Sequence, residues 1–309
     1  MKGTVIKSTG SWYTVLDPKG AYVQCRIKGK LRLEGSKSTN YVSVGDHVEF
    51  EMDDDGKGSI NELLERKNYI IRKATNLSKQ THIIAANIDQ AFLIVTLAQP
   101  RTSLGFMDRF LATAEAYSIP ANIVFNKTDI YSKELMEELG EVKSIYEKIG
   151  YKCFLVSSIE NKGVDELKSA IKGKVNLFSG HSGVGKSTLI NTIEPGLELS
   201  VGDISTAHNK GTHTTTFAEM HPLKMGGFII DTPGIKEFGL INVEKTELSH
   251  FFPEIFAMSK HCKFSTCLHV NEPKCAVIEA VDKNEIALSR YNSYLGIVTG
   301  EELDKEYQD

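Results

Sequence analysis

Residues 126–129 read NKTD and residues 180–187 read GHSGVGKS, and the order of these two stretches constrains the fold more than any other feature of the chain. Gly180, Gly185, Lys186 and Ser187 keep the G-x-x-x-x-G-K-S spacing, directly after the apolar run VNLF (175–178) and at the head of KSTLINTI (186–193). Glycines let the backbone turn its N–H groups toward an anion, and the N-terminus of the following helix adds partial positive charge. NKTD likewise ends an apolar run, ANIVF (121–125). Ligands bind at strand ends of this kind in open α/β sheets. A loop that cradles phosphate and a loop that reads a base therefore belong to one sheet, with the base reader earlier in the chain.

The residues predict which nucleotide. Asp129 can accept from both the ring N1–H and the exocyclic amino group of guanine, and adenine offers neither. A site built around such a group discriminates by on the order of 10⁴. Asn126 is expected at the base edge and as a brace, and the stem of Lys127 over the ring. VSSIEN (156–161) is a second base loop, with Ser157 and Ser158 near the guanine oxygen. Gly180, His181, Ser182, Gly183, Val184, Gly185, Lys186, Ser187 and Thr188 form the phosphate loop. Lys186 is expected to bridge the β- and γ-phosphates and Ser187 to hold Mg²⁺. In DTPG (231–234), Asp231 joins the Mg²⁺ shell through water and Gly234 offers its N–H to the γ-phosphate. HNKGTHTTT (208–216) suits a switch segment, where Thr214 or Thr215 completes the Mg²⁺ ligands.

All the parts of a GTPase site are thus present, in the order base reader, second base loop, phosphate loop, switch I, switch II. A sheet whose termini lie close tolerates being cut and rejoined elsewhere, so the pattern predicts a circularly permuted GTPase domain. Where many GTPases place a water-orienting glutamine after D-x-x-G, this chain has Ile235, which cannot hydrogen bond. His213 is the nearest candidate for that catalytic role.

The flanks differ in period. Up to about residue 70, TVIKS, YTVL, YVQCRI, LRLEG and DHVEFEM alternate apolar and polar positions, as strands with one buried face do. Such strands suit a five-stranded barrel of the oligonucleotide-binding type. Arg26, Lys28, Lys30 and Arg32 recur at every second position and so share one strand face, either solvated or in contact with RNA. From about residue 88, QAFLIVTL, ANIVFN, KCFLVSS, VNLFSG and GFIIDT are continuous apolar runs, the mark of parallel strands covered on both faces. The stretches FMDRFLATAEAYS and SKELMEELGEVKSIYEKIG between them have helical period, the first ending before Ile119-Pro120. Beyond about residue 240 the chain is expected to be mainly helical around CKFSTCLHVNEPKC. There Cys262, Cys267, His269 and Cys275 supply three thiolates and an imidazole, a closed tetrahedral set for structural zinc. His261 is a rival ligand. The expected units are 1–72 (barrel), 73–240 (GTPase) and 241–309 (zinc lobe).

Composition excludes little beyond this. A net charge of −4 gives no global pull toward nucleic acid, so RNA contact requires a local basic face. No apolar run approaches the roughly 18 residues that span a bilayer, and the first residues lack a signal-peptide core. A cytoplasmic monomer without membrane contact is expected. Five cysteines, an odd number, argue against a disulfide framework, and Cys25 and Cys153 sit in apolar strands as small buried groups.

The permuted order, the cysteine spacing and the G-D-x-V of Gly45–Val48 together resemble one family across nearly the whole chain. It is the bacterial ribosome small subunit-dependent GTPase A family of circularly permuted GTPases. The resemblance implies a factor for late 30S maturation that binds near the decoding region, with 16S rRNA as its main contact. It also implies GTP hydrolysis stimulated by that subunit, with zinc and magnesium as metals. One departure is visible: the family's switch G-R-H-T-T-T is GTHTTT here, with Thr212 in place of arginine. Two other functions share some of these features. An RNA-binding assembly protein with a merely structural nucleotide site is disfavoured by the intact Lys186, Ser187 and Asp231, and a nucleotide kinase by NKTD.

Overall fold

The computed structural model of the chain describes residues 1–28, 41–54, 56–73, 81–199, 218–232 and 243–300. Its strands begin with β1 (Lys2–Ser8), β2 (Tyr13–Leu16), β3 (Tyr22–Ile27), β4 (His47–Met52) and β5 (Gly58–Leu63). These pair in the order β1-β2-β3-β5-β4, and β4 returns to β1, so the sheet closes into the expected barrel. Alternation decides which side chains fill it. In β3, Val23 and Cys25 point in, while Tyr22, Gln24 and Arg26 point out. Val5, Val15, Val48, Phe50 and Ile60 complete the core. LRLEG, expected as one of the strands, lies outside the described residues. The strand that was not expected is β5, whose sequence GSINEL buries one large apolar side chain, Ile60, and so carries almost no period-two signal.

A hairpin of β6 (Tyr69–Lys73) and β7 (Thr81–Ala86) follows, and β6 runs across the expected boundary at residue 72. The central unit then alternates: β8 (Gln90–Val95), α1 (Leu104–Ala116), β9 (Ala121–Phe125), α2 (Lys133–Ile149), β10 (Lys152–Leu155), α3 (Val164–Ile171), β11 (Val175–Ser179) and α4 (Lys186–Ile193). The antiparallel pair β12 (Glu219–Pro222) and β13 (Phe228–Asp231) completes the sheet order β10-β9-β8-β11-β13-β12, parallel up to β13. The apolar runs divide between two cores. Ala91, Leu93 and Val95 of β8 face the layer of α1 and α2, and Phe92 and Ile94 face the layer of α3 and α4. A strand buried on both sides needs apolar residues at both parities, which is why these runs are continuous.

Helix ends follow their sequence signals. Ser103 Oγ accepts from Phe106 N at 3.2 Å and Ser132 Oγ from Leu135 N at 3.3 Å, capping α1 and α2. Strand β12 also pairs with β1, at Glu219 and Lys7, so the barrel and the α/β sheet share one hydrogen-bonded seam. The C-terminal lobe comprises α5 (Pro253–Ser259), α6 (Ala276–Asp282) and α7 (Leu288–Thr299), mainly helical as expected. It docks on α1, whose Ala112 is part of the lobe's core. A buried charge cluster crosses this junction: Arg290 of α7 meets Asp108 of α1 at 2.8 Å and Glu254 of α5 at 2.6 Å. Tyr146 of α2 donates to Asp108 at 2.8 Å.

Candidate active site and metal centre

The base loop and the phosphate loop leave the same edge of the sheet, at the C-terminal ends of the parallel strands β9 and β11, with β8 between them. Side chains then close the gap. Asn126 is buried, and its Nδ2 donates to the carbonyl of Val184 in the phosphate loop at 2.9 Å. Its Oδ1 accepts from Ser158 N at 3.3 Å and Ser158 Oγ at 2.9 Å. One amide thus joins three loops that lie far apart in sequence. The approach is so close that a Cβ at Gly185 would stand 2.6 Å from Asn126 Nδ2, and Gly185 has φ +84°. Only glycine fits that position.

Asp129 sits in a short 3₁₀ turn, where its Oδ1 accepts from Ser157 Oγ at 2.6 Å. Ser157 Oγ in turn accepts from Glu160 N at 3.0 Å, which sets the direction of the serine proton. Lys127 has left-handed backbone (φ +61°), and its Nζ donates to Gln99 O at 2.6 Å. Burial lowers its ammonium below the ordinary lysine value.

In the phosphate loop, Val184 is buried while Ser182 and Gly183 are exposed, and Ser187 and Thr188 lie in the first turn of α4. Lys186 Nζ contacts the Asp231 carboxylate at the end of β13 and donates to Thr232 O at 2.6 Å. The lysine expected on the phosphates and the aspartate expected in the Mg²⁺ shell therefore face each other across the mouth of the site. His181 packs edge-on against Phe106 and meets Thr102 Oγ1 at 2.7 Å. Gln99 and Thr102, both in the connection from β8 to α1, were not singled out in the sequence; Pro100 and the Ser103 cap mark that stretch only as a loop. His213, Thr214, Thr215 and Gly234 lie outside the described residues, as do Thr212 and Ile235.

The metal candidates converge. Ligand atoms of Cys262, Cys267, His269 and Cys275 all lie within 4.8 Å of one another. Cys275 Sγ is 3.8 Å from both other sulfurs and 3.4 Å from His269 Nδ1. A tetrahedron with zinc–sulfur bonds of about 2.3 Å has edges of about 3.8 Å, so the set fits zinc. Four protein ligands leave no open position, which makes the site structural. His261, the rival ligand, is exposed and not in the cluster. The Glu272 carboxylate accepts from the backbone N–H of Leu268, Val270 and Asn271, holding the ligand loop from within. Tyr291 and Tyr294 of α7 donate to His269 O at 2.7 Å and Leu268 O at 2.9 Å.

On the barrel, Arg26 faces outward with its guanidinium 3.8 Å from the Trp12 ring centroid, and Lys28 pairs with Glu51 at 3.1 Å. Lys30 and Arg32 lie outside the described residues.

Comparison with known proteins agrees with this fold. The RsgA GTPase family model matches residues 63–241, and the model of the RsgA N-terminal domain matches residues 2–60. The chain belongs to the RsgA GTPase family. Its relatives include the "Small ribosomal subunit biogenesis GTPase RsgA" of Flavobacterium johnsoniae, 56% identical over 98% of this chain and 94% of the relative. The "Small ribosomal subunit biogenesis GTPase RsgA 2" of Bacteroides thetaiotaomicron is 54% identical over 99% and 98%. Among solved structures, YjeQ from Thermotoga maritima superposes with a TM-score of 0.80 at 36% identity, covering 97% of each chain. YloQ, described as a circularly permuted GTPase, gives 0.75 at 32% identity over 97% and 94%. The family accounts for the barrel, the permuted P-loop sheet and the helical lobe with its Cys₃His site.

Proposed function

We propose that this chain binds guanine nucleotide where the two loops meet, hydrolyses GTP to GDP and phosphate, and assists late maturation of the small ribosomal subunit. The enzyme class follows from the family, and the ribosomal role from relatives whose names describe small-subunit biogenesis. The observation that carries the nucleotide reading is the hydrogen bond from Asn126 to Val184, which makes one site of two motifs written in permuted order. Asp129 and the backbone near Ser157 and Ser158 select guanine, while Asn126 and Lys127 hold the base edge and ring. The N–H groups of residues 180–188 bind the phosphates, and Lys186 turns from Asp231 to meet them. Mg²⁺, when bound, neutralises phosphate charge. Ser187, Asp231 and one of Thr214 and Thr215 are the residues that would hold it. Gly234 offers an N–H to the terminal phosphate, and His213 orients the attacking water.

Zinc holds the lobe together and takes no part in hydrolysis. The contact with 16S rRNA runs through the outer barrel face of Arg26, Lys28, Lys30 and Arg32, near the decoding region, and the units divide as 1–72, 73–240 and 241–309 with the first boundary moved ahead of β6. No helix among the described residues is long and apolar enough to cross a membrane. We place the protein in the cytoplasm as a monomer. Single-turnover GTP hydrolysis with and without saturating 30S subunits tests the reading. Wild type is expected to be slow alone and stimulated by 30S, and His213→Ala to lose roughly 10²-fold of the stimulated rate, as for a positioned acid–base group. Absence of stimulated turnover in wild type sinks the enzymatic reading, and a His213→Ala protein with wild-type stimulation moves the water-orienting group to the ribosome.

A further inference from the structure

The phosphate loop is held on the base side by Asn126 and on the switch side by Lys186 with Asp231. Its first turn has a third attachment. The N–H of Thr96 donates to Thr102 Oγ1 at 3.1 Å, and the same hydroxyl lies 2.7 Å from His181 Nε2. His181 Nδ1 lies 3.1 Å from Ser182 O, an acceptor only. Nδ1 must then carry the imidazole proton, which leaves Nε2 as the acceptor for the Thr102 hydroxyl. Thr96 and Thr102 are buried, so the bond between them forms away from bulk water, while the His181 contact to Thr102 is half-buried and that to Ser182 O is exposed. The ring is closed off on one side by the edge-on contact with Phe106, 5.8 Å between centroids.

The β8–α1 connection that supplies Thr102 also supplies the Gln99 carbonyl that Lys127 Nζ donates to. It therefore touches the base loop and the phosphate loop within a few residues. We infer that His181 is a positioning residue for the phosphate loop, acting through Thr102 to hold the loop's first turn in register with the base reader. The inference rests on the reading of residues 180–187 as a phosphate loop. It assigns the side chain of His181 no contact with nucleotide.

The tether as described uses the neutral imidazole. Protonating Nε2 makes it a donor, so the Thr102 hydroxyl, which already accepts from Thr96 N–H, keeps the contact only by turning its own proton to another acceptor, and its described contacts offer none. Burial, with the positive charge of Lys127 behind it, holds the pKa of His181 below the ordinary histidine value. Lys127 is the charged group that faces the ring from the base loop, and Arg101, next to Thr102, is paired with Glu138 of α2. A histidine whose folded pKa is depressed binds fewer protons folded than unfolded, so the tether is at full strength above the ordinary pKa. It weakens as pH falls toward the folded value.

The test is fluorescent GDP binding to the full chain between pH 5.5 and 8, with thermal unfolding and zinc content as folding controls. His181→Ala and Thr102→Val are each expected to weaken GDP binding at pH 7.5 by roughly tenfold, the equivalent of one such hydrogen bond. Both should lose the acid fall-off that wild type shows. His181→Gln, whose amide oxygen can still accept from Thr102, should recover most of the affinity without the pH dependence. A residue that merely filled space would be rescued as well by His181→Leu, which cannot accept from Thr102, as by His181→Gln, and would give no change in pH profile. If wild type fails to bind GDP, the phosphate-loop reading itself fails. If wild type binds and a folded His181→Ala protein binds as tightly with the same pH profile, this inference alone is overturned.

Discussion

The α/β sheet and the zinc lobe are held together in opposite ways. In the sheet, order is spread over area: Phe92, Leu93, Ile94, Leu177, Phe178, Ile229 and Ile230 are fully buried, divided between cores on its two faces. In the lobe, the helices α5 and α6 are seven residues each, too short to be stable alone. Order there rests on a smaller core around Phe252, Ile255, Val277 and Tyr294 together with two strong points, the Cys₃His cluster and the Arg290 cluster. The difference teaches where each region is vulnerable. A distributed core loses a share of its stability when one side chain is cut back, whereas a lobe held at points loses its fold when one point goes.

The largest effect is expected at the metal. Structural zinc contributes on the order of 10 kcal/mol of apparent free energy to a small lobe. Cys267→Ser should abolish stoichiometric zinc and release the lobe while the sheet keeps binding GDP, with zinc content and nucleotide affinity measured on the same sample. Full zinc occupancy in the mutant would remove Cys267 from the ligand set. Unfolding of the sheet along with the lobe would show that the two regions are not separately held.

Arg290→Met comes next. It leaves the buried Asp108 and the half-buried Glu254 without their cation, an expected loss of about 3–5 kcal/mol in denaturant unfolding monitored at the lobe. Removing all the charges together, as Arg290→Met with Asp108→Asn and Glu254→Gln, should recover much of that loss. If the triple variant is no better than the single one, Arg290 acts by packing on Phe252 rather than by charge, and the contrast between area and points narrows.

The smallest of the three is Leu177→Ala in β11, expected to cost about 3 kcal/mol with zinc content unchanged, because the surrounding core collapses partly into the cavity. A loss as large as that of zinc removal would show the sheet to depend on single residues as well.

Much of the candidate site was legible because its signals are local. Phosphate binding needs N–H groups from consecutive residues, so Gly180 to Ser187 declare it in one stretch, and the ligands of zinc span only Cys262 to Cys275. Gln99 and Thr102 escaped notice because a carbonyl oxygen and a lone hydroxyl act through where the chain places them. Strand β5 escaped because it is held by backbone pairing to β3 and β4 on either side and buries only Ile60 among its large apolar side chains.

By itself, the sequence determined the permuted order of motifs, the parity of the strands and the four metal ligands, all of them properties of neighbouring residues. The tertiary structure alone decided the rest: that Asn126 reaches Val184, that β12 pairs with β1 to join barrel and sheet, and that Arg290 meets Asp108 across 182 positions of chain. The physical reason is that side-chain periodicity records which face of an element is buried. It does not record which distant element buries it, and buried polar groups find their partners only once the hydrophobic layers have fixed the distances.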